Sequence, residues 1–243
     1  MPSRLRDAPL LIQVGPGHPH VRQCSLARRN LTPRREQLTV VEGLWAHERL
    51  IEAGAAVEAF FWCPGDDNQL GFGQLTSCVN AVAARARSAY QITPKTLARI
   101  NRGATSPGMV SLVRLPRWRA ARLITPSARL ALVADGIEYA GNLGTLLRTV
   151  DACGADVLVL TNPVARVTHP KVFVASRGTV LTTPVVEYPS VREARRALQD
   201  AGFTVFVADP AAPRSYLDVA YPQPTAFVVG SEGDGVSTEW HDG

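Results

Sequence analysis

Three short segments carry residue types and spacings able to handle a polar ligand. The first, Asp135-Gly136-Ile137-Glu138-Tyr139-Ala140-Gly141-Asn142-Leu143-Gly144, continues as Thr145-Leu146-Leu147-Arg148. Gly141 and Gly144 permit a tight turn into a helix, and Asn142 is able to cap free N–H groups. On that helix Leu143, Leu146, Leu147 and Val150 form a buried stripe, while Gly144, Arg148 and Asp151 recur at four and three residues on another face. Arg148 then lies one turn inside the helix mouth, beside whatever binds there; an exposed helix arginine has the same spacing. The second segment, Ala175-Ser176-Arg177-Gly178-Thr179, is a small-residue turn that by itself is only a helix end. In the third, Gly230-Ser231-Glu232-Gly233-Asp234-Gly235 follows the apolar run Phe227-Val228-Val229. Consecutive N–H groups of such a loop can enclose a polar ligand, although turn chemistry alone also yields it. No Gly-Lys-Ser/Thr follows and no G-x-G-x-x-G occurs, so neither the P-loop nor the dinucleotide fingerprint is present.

The elements that must position these segments are legible from periodicity. Leu130 to Ala134 reads as a buried strand, Asn142 to Cys153 as a helix, Val157 to Leu160 as a strand, Pro170 to Ser176 as a short helix and Pro184 to Glu187 as a strand. Ser190-x-x-Glu193 is a capping box opening a helix to Ala201, before strands at Phe203 to Ala208 and Thr225 to Val229. Strands alternating with helices predict a parallel, helix-covered sheet with its site at the strands' carboxyl ends. Upstream, Thr39-x-x-Glu42 reads as a capping box for a helix ended by Gly54. Val57 to Trp62 is an expected strand, Thr76 to Ala89 a helix, Thr93-Pro94 a helix start and Met109 to Leu115 the end of a small α/β unit. The expected organisation is an irregular tail over 1–20, a first domain over 21–116, a linker over 117–128 and a second domain over 129–243. No internal repeat is visible.

Composition limits the function classes. At 46% hydrophobic and 19% charged, the 243 residues describe a globular chain and exclude collagen, disorder and coiled coil. No apolar run reaches the roughly 18 residues of a membrane span, and Pro9-Leu10-Leu11-Ile12 is too short for a signal sequence, so a cytoplasmic address is expected. Cys24, Cys63, Cys78 and Cys153 form no C-x-x-C pair, and His18, His20, His47, His169 and His241 show no ligand spacing, so no metal site is expected. Residues 1–128 carry 17 Arg or Lys against 8 Asp or Glu, whereas residues 129–243 carry 9 against 13. Arg22, Arg28, Arg29, Arg34 and Arg35 cluster near the front, as do Arg114, Arg117, Arg119 and Arg122 before Leu130. Such patches attract polyanions through phosphate contacts, and a solvated charged surface has the same composition.

Taken in order, the three segments resemble the TrmH/SpoU branch of the SPOUT RNA methyltransferases. The first is similar to that family's motif 1, with Asn142, Gly144 and Arg148 on its fixed positions, and the third to motif 2, with Gly230, Glu232 and Gly235. Ala-Ser-Arg-Gly followed by Pro184-Val185-Val186 also resembles the family. Val41-Glu42-Gly43, and Ser106 to Val110 before Leu115-Pro116, are similar to the small ribosomal-protein-like RNA-binding domain that often precedes the catalytic one. The resemblance implies S-adenosylmethionine-dependent methylation of a ribose 2′-hydroxyl in rRNA or tRNA, by a homodimer with a trefoil-knotted cofactor site. It places Arg148 and Asn142 in catalysis, Arg148 orienting the hydroxyl and stabilising developing charge, and Asn142 positioning Arg148 or the RNA. It assigns the cofactor to Gly230, Ser231, Glu232 and Gly235; RNA contacts are expected at the clustered Arg28, Arg29, Arg34 and Arg35 and at Arg177.

Two departures stand out. Tyr139-Ala140 occupies the place where many members read Asp-Pro, a pattern closer to the thiostrepton-resistance branch. The chain ends at Gly243 without the family's third motif, a Ser-Leu-Asn-Val-like segment, so a fragment or a degenerate member is expected, with an incomplete knot and turnover in question. The competing class is an RNA-binding protein without turnover, and cofactor binding separates the two. A nucleotide-binding oxidoreductase would instead bind a dinucleotide.

Overall fold

The computed structural model describes residues 11–65, 72–101 and 108–241. The chain forms two compact units, the first running to Pro116 and taking in Thr168–Phe173, the second comprising Arg117–Val167 and Val174–Gly243.

The first unit contains β1 (Ile12–Gln13), α1 (Pro19–Arg28), β2 (Leu38–Glu42), α2 (Leu44–Glu52), β3 (Ala56–Trp62), α3 (Phe72–Arg85), β4 (Ala89–Gln91), α4 (Pro94–Asn101) and β5 (Met109–Arg114). Its sheet has the order β1-β4-β3-β5-β2, parallel at β4 and antiparallel at β5. Val21, Cys24 and Ala27 of α1 and Ile100 of α4 pack with Ala59, Phe61, Val110 and Leu112. Ser111, between the last two, points the other way and meets His47 of α2, as strand alternation requires.

Four expectations change here. Ordered structure precedes residue 21, because β1 pairs with β4 and α1 starts at Pro19, where proline has no N–H to leave unpaired; residues 1–10 lie outside the described residues. Thr39 and Glu42 are not a capping box but part of β2, since buried Leu38, Val40 and Val41 suit a strand paired with β5. The helix then opens at Gly43 without a side-chain cap. The helix expected over Thr76 to Ala89 stops at Arg85, and Ala89 already belongs to β4, whose Tyr90 stacks on Phe61 at 5.7 Å. The stretch 117–128 holds a short helix, α5 (Ala120–Leu123), and buries Ile124 and Ala128 in the second unit's core.

After α5 the chain continues with β6 (Leu130–Asp135), α6 (Ala140–Cys153), β7 (Val157–Thr161), α7 (Pro170–Ala175), β8 (Val185–Glu187), α8 (Val191–Asp200), β9 (Thr204–Val207) and β10 (Thr225–Val229), all in the second unit except the start of α7, which falls in the first. These agree with the periodicity reading to within a few residues. At α8 the capping box is made: Ser190 Oγ accepts from Glu193 N at 3.2 Å. Every strand pair is parallel, in the order β8-β7-β6-β10-β9. Val133, Val159, Val186 and Val228 pack against Val191, Ala194 and Leu198 of α8, while Leu143, Leu147 and Val150 of α6 are buried. Chain order runs outward from β6 to β8, crosses to the far edge at β9 and steps inward to β10, so the boundary between the two sets of strands, the sheet's switch point, lies between β6 and β10. Open parallel sheets present their ligand crevice there, beyond the strands' carboxyl ends.

Candidate active site

The loops leaving β6 and β10 are the first and third segments. Asp135 ends β6 with 2% of its surface exposed. One carboxylate oxygen accepts from Thr161 Oγ1 (2.8 Å) and Asn162 Nδ2 (2.9 Å). The other accepts from Ser237 N (2.8 Å) and Ser237 Oγ (2.7 Å). A buried carboxylate needs such donors in place of water. The result ties the ends of β6 and β7 to the residue that closes the glycine loop. Sequence reasoning assigned Asp135 no role; its signal was a carboxylate ending an apolar strand at a glycine turn.

The glycine loop folds on itself. Ser231 N donates to Gly235 O at 2.9 Å, Gly235 N to Ser231 O at 3.2 Å, and Asp234 N to Ser231 Oγ at 3.0 Å. A Cβ on Gly230 would overlap the Gly235 carbonyl and the Val236 nitrogen, and Gly235 takes φ +69°, which favours glycine.

Asn142 does not cap α6. Tyr139 is the N-cap residue, without a side-chain bond, and Asn142 lies on the helix, where its Nδ2 donates to Glu232 Oε1 at 2.9 Å. That bond joins the first segment to the third. Nor does Asn142 stand with Arg148: six residues rotate a helix by about 240°, which sends the two side chains to different faces. Asn142 shares a cleft of about 300 Å³ with Ile137, Glu138, Tyr139 and Gly230 to Gly233. The other side of the same loop lines a cleft of about 530 Å³ with Asp209, Asp234, Gly235 and His241. Arg148 lines a third, about 680 Å³, with Thr145, Asp151, Ser176, Thr179 and Arg177. Arg177 takes φ 54° and Gly178 φ 83°, and the turn is pinned by buried Ser176, whose Oγ accepts from Val180 N at 3.4 Å.

The structure therefore brings Asn142, Gly230, Ser231 and Glu232 together, places Gly235 on the loop's far side, and joins Arg148 with Arg177 elsewhere on the unit. Of the first-unit arginines, Arg28 is ion-paired with Glu42, which occupies its charge within the fold, while Arg29, Arg34 and Arg35 are exposed. After the glycine loop the chain forms a 3₁₀ turn, Thr238–Trp240; Asp242 and Gly243 lie outside the described residues, as do Ser106 and Pro107. Among the described residues, no three His, Cys, Asp or Glu side chains group as metal ligands, and no helix is long and apolar enough to cross a membrane.

A parallel sheet with β6 and β10 side by side, and a self-closed glycine loop bonded to the first turn of α6, gives an α/β domain with the fold of SPOUT methyltransferase structures. The family model described as SpoU rRNA Methylase family matches residues 129–243, so the second half of the chain is similar to that family. An uncharacterised tRNA/rRNA methyltransferase of Synechocystis sp. is 30% identical over 155 residues, 63% of this chain and 56% of that protein. A 23S rRNA (uridine(2479)-2′-O)-methyltransferase of Streptomyces viridochromogenes is 30% identical over 142 residues, 55% of this chain and 48% of that one. The chain thus spans about half the length of the curated relatives it matches. Among solved structures, an AdoMet-bound rRNA methyltransferase from Sinorhizobium meliloti aligns with a TM-score of 0.78 at 19% identity, covering 95% of this chain and 84% of that one. The SpoU methyltransferase AviRb from Streptomyces viridochromogenes, in complex with AdoMet, aligns at 0.75 and 24% identity, covering 92% and 85%. At these identities the likeness is one of fold.

Proposed function

We propose that this protein transfers a methyl group from S-adenosylmethionine to a ribose 2′-hydroxyl of rRNA or tRNA in the cytoplasm. The observation that carries the reading is the bonded pair of loops at the switch point, where Asn142 fixes Glu232 and the Gly230 loop stands between two clefts. The donor set fits the cofactor. The 530 Å³ cleft is lined by Asp209, Glu232 and Asp234 and by no Lys or Arg, which suits a cationic sulfonium and ammonium and opposes a pyrophosphate. Gly230, Ser231, Glu232 and Gly235 would hold the cofactor, through loop backbone and carboxylate.

When bound, S-adenosylmethionine supplies a sulfonium methyl; the new O–C bond forms as the S–C bond breaks and its electron pair stays on sulfur. The chain's task is to align a weakly acidic hydroxyl in line and to stabilise the charge on its oxygen. A guanidinium donates hydrogen bonds and accepts none, so Arg148 orients the hydroxyl and stabilises oxyanion character, while the proton leaves to a substrate phosphate or solvent. Arg177, in the same cleft, adds a second cation for the RNA backbone. Because Arg148 and the glycine loop line different clefts of one chain, we infer a homodimer in which one copy's Arg148 serves the other's loop. The same separation favours the alternative, RNA binding without turnover, if the chain stays monomeric. The test is transfer of labelled methyl from S-adenosylmethionine to rRNA and tRNA, followed by nucleoside analysis. Labelled 2′-O-methylnucleosides are expected; a base-methylated product, or none, would overturn the assignment.

A further inference from the structure

We propose that Tyr139 is the stacking platform for an unpaired nucleobase of the RNA substrate, lying in the cleft that it shares with Asn142 and Glu232. The inference rests on the function proposed above and adds a residue that selects what enters the site. Three observations carry it. Tyr139 is 62% exposed, while its backbone is held at the start of α6, its carbonyl accepting from Leu143 N at 3.1 Å. A planar apolar surface is thus held out on a rigid mount, the condition under which stacking costs least entropy. The cleft holds about 300 Å³, enough for a ring system but small for a length of strand.

Its lining includes Glu138 and Glu232 and no Lys or Arg. Two carboxylates repel a phosphate, whereas they accept hydrogen bonds from the ring and exocyclic N–H groups of a base. The anionic backbone has its own place in the cleft of Arg148 and Arg177. Bases that are splayed from single-stranded RNA stack on aromatic side chains with little regard to sequence, while edge contacts select among them. Tyr139 supplies the face and the carboxylates the edge, so guanine, which presents adjacent ring and exocyclic N–H donors, is favoured over uracil, which presents a single ring N–H between two carbonyls.

The test uses short single-stranded oligoribonucleotides, one set end-labelled for anisotropy and one carrying 2-aminopurine, whose emission falls on stacking. Wild-type protein should bind and quench. Tyr139→Phe and Tyr139→Trp should retain quenching, while Tyr139→Ala should lose it and bind roughly tenfold more weakly. All three should match wild type in thermal unfolding and in calorimetric affinity for S-adenosylmethionine. Normal binding and quenching in Tyr139→Ala would overturn the platform alone. Loss of S-adenosylmethionine affinity in that variant would also overturn it, assigning the ring to the cofactor's adenine. No anisotropy change with wild-type protein would overturn the RNA reading and the platform together.

Discussion

Arg148 and Gly230 act in different ways, and their substitutions should separate. Arg148 is exposed and lines a different cleft from the glycine loop, so Arg148→Ala should abolish methyl transfer and leave S-adenosylmethionine affinity within about twofold, as uniform binding is untouched. Kinetics and calorimetry on one preparation would show it; full activity would refute the role. Gly230 has no room for a Cβ against Gly235 and Val236. Gly230→Ala should cost roughly 1–3 kcal/mol by forcing the backbone apart, and should weaken cofactor binding with it. Denaturant unfolding and calorimetry read the two effects. Asp135 tests what sequence reasoning overlooked: Asp135→Asn puts an amide N–H toward a donor at Ser237 or at Thr161 and Asn162, and should cost on the order of 3 kcal/mol.

Among the elements, α2 carries a group whose titration sets a pH window. His47 is buried, with Nδ1 2.7 Å from the Gly43 carbonyl and Nε2 2.9 Å from Ser111 Oγ. A carbonyl only accepts, so the proton sits on Nδ1 and Ser111 donates to Nε2. Burial pushes the ring down to about 4 from 6.5. A depressed histidine binds its proton more readily when unfolded. Stability from this group is therefore full above about pH 6.5 and is lost as pH falls toward 4, by on the order of 3 kcal/mol. Urea unfolding between pH 7 and 4 should show that decline in wild type and a flatter profile in His47→Gln. Legibility differed between elements for physical reasons. The second unit's strands and helices declare themselves because both faces of a parallel sheet are covered and apolar runs mark its strands. Thr39 and Glu42 misled because a capping box and a strand share the same residues, and pairing with β5 decided between them. The motifs at Gly230 and Asn142 were readable, but the Asn142–Glu232 bond joins residues 90 apart, and no local pattern predicts it.

For the whole molecule, the proposed function together with the excess of arginine in residues 1–128 predicts an RNA affinity that falls steeply with salt. Reversing Arg29 and Arg35, which are exposed, should weaken RNA binding and lower the log–log salt slope by about 0.7–0.9 per lost phosphate contact. Reversing Arg28 should chiefly destabilise the first unit, because Glu42 already holds it. The homodimer has its own test: mixing Arg148→Ala with Gly230→Ala chains should restore part of the activity that each lacks, whereas a monomeric site would restore none. All of these depend on the glycine loop holding S-adenosylmethionine, and calorimetric titration of that cofactor into the 243-residue chain, with NAD as the control, tests it most directly. The account predicts saturable binding of S-adenosylmethionine and no heat from NAD. A folded chain that takes up neither, or that binds NAD instead, would contradict it.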